Sequence, residues 1–97
     1  MTTEIAKRTV SGPLLSAMDV LLVEDNPGDI RLIREVLRED ARFRIALRTA
    51  GTLRETIAVC ERHPPDAVLL DLNLSDSMGL DTVRSLTGQF PALPIIV

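Results

Sequence analysis

Two short apolar runs in this chain each end on carboxylates: Val20–Val23 leads into Glu24 and Asp25, and Val68–Leu70 leads into Asp71. Placed as neighbouring parallel strands, they bring three acids to the carboxyl edge of one sheet, where open α/β sheets bind ligands. Like charges crowded there repel one another unless a divalent cation sits among them. An all-oxygen donor set predicts Mg2+ or a related hard cation. A carboxylate activated and exposed in this way can accept a phosphoryl group.

The elements that must position these acids follow from hydrophobic spacing. After Val20–Val23, Asn26-Pro27-Gly28-Asp29 turns the chain, with Pro27 suited to a first helical turn. Ile30, Ile33 and Leu37 recur at helical spacing, Leu32 and Val36 widen the stripe, and the helix should end near Asp40. Arg31, Arg34, Glu35 and Arg38 take its solvated face. Phe43, Ile45 and Leu47 alternate with polar or small residues, the period of a strand at a sheet edge. Thr52 with Glu55 forms a capping box ahead of a helix whose apolar face holds Leu53, Ile57 and Cys60. His63-Pro64-Pro65-Asp66 stops that helix and admits a central strand, Ala67–Leu72. Gly79–Thr87 carries Leu80, Val83 and Leu86 at helical spacing, and Pro91–Pro94 leads into a fourth strand, Ile95–Val97. Strands joined through helices run parallel, so the fold class is α/β with an open parallel sheet.

Ninety-seven residues allow one small domain, here 19–97 behind a flexible leader, 1–18. Only Phe43 and Phe90 are aromatic, so the core is aliphatic. A formal charge of −3 argues against nucleic acid as the partner. Lys7 is the only lysine, and Cys60, the only cysteine, forms no internal disulfide and reads as a core residue. No apolar stretch is long enough to span a bilayer, and a cytoplasmic location fits. Asp29 and Asp76 read as helix-start and loop acids, His63 as solvent-facing and Met78 as loop packing.

Val20-Leu21-Leu22-Val23-Glu24-Asp25-Asn26, then Asp66–Leu72, then Gly79, resembles the receiver domain of bacterial two-component response regulators, over Asp19 to Val97. The resemblance implies a flavodoxin-like, doubly wound parallel sheet of (βα) repeats, C-terminally incomplete and truncated after the fourth strand. It implies that Asp71 is the phosphoacceptor and takes its phosphoryl group from a histidine kinase. Asp25 would bind Mg2+ directly, Glu24 through water, and the backbone carbonyl of Asn73 would supply another ligand. An output domain or downstream protein would read the change; the domain itself is not an enzyme, and contacts neither membrane nor nucleic acid. The turn at Asn26–Asp29 also resembles receivers that sit beside phytochrome-type kinases, or ahead of cyclic-di-GMP output domains.

Two departures from the family pattern stand out. The usual proline four residues past the phosphoacceptor is Ser75, in a Ser75-Asp76-Ser77 segment that also turns a chain. The family's phosphoryl-binding Ser or Thr after the fourth strand, and its later Lys, have no counterpart before Val97. The alternative is therefore a phosphorylation-independent interaction or dimerisation module on a receiver scaffold, or an inactive fragment. Ile95–Val97 would then offer a raw sheet edge for a homo-oligomer. A phosphatase of the haloacid-dehalogenase type is disfavoured, because its second acid would stand where this chain has Asn73. A nucleotide-binding loop is disfavoured because Glu24 and Asp25 repel phosphate.

Overall fold

Strand and helix alternate along the computed structural model, which describes residues 17–40 and 44–97. In chain order the elements are β1 (Met18–Val23), α1 (Pro27–Glu39), β2 (Ile45–Ala50), α2 (Leu53–Arg62), β3 (Ala67–Leu70), α3 (Leu80–Gln89) and β4 (Ile95–Ile96). The four strands form one parallel sheet in the order β2-β1-β3-β4, a flavodoxin-like α/β arrangement with β1 and β3 inside. The alternating segment is the edge strand β2, as its period implies; Phe43 lies outside the described residues. Positions 1–16 of the expected leader also lie outside them, while its last residue, Met18, already belongs to β1. β3 stops at Leu70, two residues short of the expected end, because the chain bends away at Leu72.

The inner strands are apolar from Val20 to Val23 and from Ala67 to Leu70 because both their faces are covered there. On one face Leu21, Val23, Val68 and Leu70 form a core with Cys60 of α2, Leu86 of α3, Ala50 and Leu74. On the other, Leu22, Leu69 and Ile96 line a cleft of about 300 Å3 with Ile33 of α1, bordered also by Glu24 and Asp71.

Helix packing narrows two of the expected stripes. Ile30, Ile33 and Leu37 are half-buried, but Leu32 and Val36 are 62% and 58% exposed. Each lies one residue, about 100° of rotation, off the stripe. No residue of α1 is fully buried. In α3 Leu86 of the expected stripe is buried and Val83 half-buried, but the first residue, Leu80, is exposed and Thr82 is buried in addition. Met78, expected to pack in its loop, is exposed.

The starts of α1 and α2 are built by side chains. Asn26 caps α1, its Oδ1 accepting from the N–H groups of Gly28 (2.8 Å) and Asp29 (3.1 Å), and Pro27 follows at the position that needs no donor. Thr52 caps α2 through Oγ1, which accepts from Glu55 N–H at 3.0 Å. The reciprocal bond of the expected capping box is displaced by one residue. Glu55 Oε1 takes the N–H of Gly51 at 2.6 Å rather than that of Thr52.

Candidate functional site: an acidic cluster at the carboxyl edge of the sheet

Register places the acids. Val23 pairs with Leu70, so the next residues, Glu24 and Asp71, leave the two inner strands at the same level. Backbone bonds from Asp71 N–H to the Val23 carbonyl (3.0 Å) and from Glu24 N–H to the Ala50 carbonyl (2.9 Å) carry the ladders to this edge. Glu24, Asp25 and Asp71 each offer a carboxylate oxygen within 4.8 Å of the others. Glu24 is 9% exposed, Asp71 half-buried and Asp25 exposed.

The electrostatics of this cluster are those of anions held together. Burial pushes the Glu24 carboxyl above its ordinary range. The Asn26 N–H opposes that shift, while the charges of Asp71 and Asp29 add to it. The Asn26 N–H reaches Glu24 Oε2 at 3.2 Å, and Asn73 N–H donates to Asp71 Oδ1 at 3.0 Å. Asp29 thus acts at a distance on Glu24 as well as standing in the first turn of α1.

The loop after Asp71 folds back on itself. Leu74 N–H donates to the Ser77 carbonyl (3.1 Å) and Gly79 N–H to the Leu72 carbonyl (2.8 Å), which sets Asn73 opposite Met78. Neither bond uses the carbonyl of Asn73. Ser75 and Asp76 form the tip, so the turn is made without the proline. Gly79 closes the loop with φ +61° and ψ −141°, a backbone that a residue with a Cβ adopts only under strain.

All of the site residues expected from sequence therefore lie on one edge, with Asn73 on the adjoining loop. Asp76 does something sequence reasoning missed: its Oδ1 accepts from Leu53 N–H (2.8 Å) and its Oδ2 from Arg54 N–H (3.0 Å), at the start of α2. Those bonds hold its carboxyl below the usual carboxylate range. No local sequence signal marks a cap supplied from 22 or 23 residues away. Asn26 was legible in principle, as an Asn directly before a helix-opening Pro. His63 lies far exposed, with Nε2 3.7 Å from Asp19 Oδ2, and Cys60 is buried.

The model of the response regulator receiver domain matches residues 20–97. This chain belongs to that family. As a receiver domain it is 35% identical over 78 residues to the probable transcriptional regulatory protein TcrX of Mycobacterium tuberculosis, covering 80% of this chain and 32% of that protein. It is 32% identical over 95 residues to the sensor protein TorS of Escherichia coli, covering 98% of this chain and 10% of TorS. The chain thus spans a third or less of these two relatives. Among solved structures, the phosphorylated cyanobacterial phytochrome response regulator RcpA aligns at a TM-score of 0.69 and 28% identity, over 82% of this chain and 63% of that one. No described helix of this receiver is long and apolar enough to cross a membrane.

Proposed function

We propose that this receiver domain accepts a phosphoryl group on Asp71 from the phosphohistidine of a histidine kinase, with Mg2+ as cofactor. The observation that carries the reading is the convergence of Glu24, Asp25 and Asp71, one oxygen each within 4.8 Å, at the ends of the two inner strands. Three hard oxygen donors, among them a Glu24 carboxyl raised by burial and by the charges of Asp71 and Asp29, fit a small divalent cation. Glu24, Asp25, Asp71 and the Asn73 carbonyl would hold it. When bound, Mg2+ supplies positive charge that offsets the charge on the transferred oxygens.

Asp71 is the nucleophile of this reading. An Oδ–P bond forms as the N–P bond of the phosphohistidine breaks; the imidazole keeps the electron pair and takes up a proton. Asn73 N–H, bonded to Oδ1, orients the carboxylate for attack. The product carries added charge and acceptor oxygens on a half-buried loop residue, the kind of local change that biases neighbouring loops and is read by an output domain or partner. That RcpA is known in a phosphorylated form supports the reading.

Intact-mass spectrometry after incubation with Mg2+ and acetyl phosphate tests it. A single phosphoryl adduct is expected, absent in Asp71→Asn and absent with chelator. A folded wild-type chain that takes up no adduct overturns the reading.

A further inference from the structure

We propose that Asp76 is a positioning residue, whose carboxylate ties the loop after Asp71 to the start of α2 and so fixes where the Asn73 carbonyl stands. The inference rests on the reading of Asp71, Asn73 and a divalent cation given above.

The loop from Leu72 to Gly79 has internal bonds that define its shape but not its placement. Leu74 N–H to Ser77 and Gly79 N–H to Leu72 close it into a small hairpin around Asn73 and Met78. A hairpin so closed still pivots about its two stems. Three external ties stop it: Leu74 is buried in the core, Ser77 Oγ shares a hydrogen bond with Thr82 Oγ1, and Asp76 reaches α2. The first two act on the residues that flank the tip. Asp76 acts at the tip, where the leverage on a pivoting loop is greatest.

Two oxygens on two successive N–H groups set a direction as well as a distance. The tie also completes the accounting at the α2 terminus, whose first N–H groups have no partner within the helix. Leu53 and Arg54 go to Asp76, Glu55 to Thr52 Oγ1 and Thr56 to the Thr52 carbonyl. An anionic acceptor is the better one at the positive end of a helix dipole. Thr52 thus serves α2 alone, whereas Asp76 serves α2 and the loop together. That division makes the two roles separable.

The test compares Asp76→Ala, Asp76→Asn and Thr52→Ala in the full chain, each checked for folding by circular dichroism. In metal-free protein, amide exchange at Asn73 and Gly79 should accelerate in Asp76→Ala and stay at the wild-type rate in Thr52→Ala. Titration with Mg2+ should show affinity about tenfold weaker in Asp76→Ala, the usual scale for losing a group that orients a ligand. Asp76→Asn, which keeps one acceptor oxygen, should recover part of it. With acetyl phosphate, the maximal rate should fall while the half-saturating donor concentration holds, because donor contacts are untouched. A folded Asp76→Ala or Asp76→Asn chain with wild-type exchange and Mg2+ affinity overturns the proposal, as does a Thr52→Ala chain that loses as much affinity. A wild-type chain that binds Mg2+ in an Asp76-dependent way yet takes no phosphoryl group overturns the transfer reading and leaves this one standing. A chain that binds no Mg2+ overturns both.

Discussion

Arg48 on β2 grips Asp19 on β1 with two parallel hydrogen bonds, Nε to Oδ1 and Nη2 to Oδ2, each 3.0 Å. The register pairs Asp19 with Ala46 and Arg48 with Leu21, so the contact is a diagonal across adjacent strands. Nη2 also donates to the His63 carbonyl at 2.8 Å, which ties in the end of α2. Asp19 N–H in turn donates to Asp66 Oδ2 (2.8 Å), and Asp66 N–H to the Asp19 carbonyl (2.7 Å), at the start of β3. One arginine therefore clasps the amino end of the sheet, opposite the acidic site.

Both side chains of that pair are only partly exposed, and a bidentate pair outlasts solvent screening better than a surface bridge. Arg48→Ala should lower unfolding free energy by about 1–2 kcal/mol in urea titration. Arg48→Lys, which offers a point charge instead of a fork, should fall between. Phosphoryl uptake at the far edge should be unchanged in both.

Glu24 sets a pH dependence of defined sign. Its carboxyl is raised above an ordinary value of 4.5, first by burial and then by Asp71 and Asp29. An acid raised in the folded state binds protons more tightly there than in the unfolded chain. Its contribution is fully present below pH 4.5 and is lost as pH rises through the folded value. Metal-free protein should therefore lose stability over that rise, and Glu24→Gln should flatten the slope. Saturating Mg2+ should do the same to the wild type, by giving the carboxylates a counter-charge. Thermal unfolding across a pH series, with and without Mg2+, checks both; a slope unchanged in Glu24→Gln assigns it to other groups.

Cys60 is 2% exposed, and burial raises its thiol above the usual range, with the Arg48 charge opposing. Thiolate is the reactive form, so alkylation of folded protein should be slow and should follow the opening of the fold. Denaturant should restore the rate of a free thiol. Fast labelling in native buffer would show α2 packed more loosely than its burial indicates.

Leu86 and Leu32 separate two residues that look alike in the sequence. Leu86 is fully buried and Leu32 is 62% exposed. Leu86→Ala should cost about 3 kcal/mol, a large share of what a domain of this size has. Leu32→Ala should stay within about 0.5 kcal/mol. Equal losses would mean that α1 buries a wider face.

Periodicity and end signals alone were enough to order strands and helices from Asp19 to Val97, and the carboxylates at strand ends alone were enough to single out Glu24, Asp25 and Asp71 as a cluster. Both are local properties: side-chain alternation, turn residues and carboxylates directly after apolar runs. Burial around the helix axis was not legible, because Leu32 and Val36 are as apolar as Ile33 and only the packed neighbours decide which side faces the sheet. Nor were the cap that Asp76 lends to α2 and the clasp of Arg48 on Asp19, which join residues 23 and 29 positions apart. Such bonds form only when the sheet register has brought distant backbone together. The acids of the candidate site were legible as residue types along the chain; their assembly at one sheet edge and its support came from the tertiary structure.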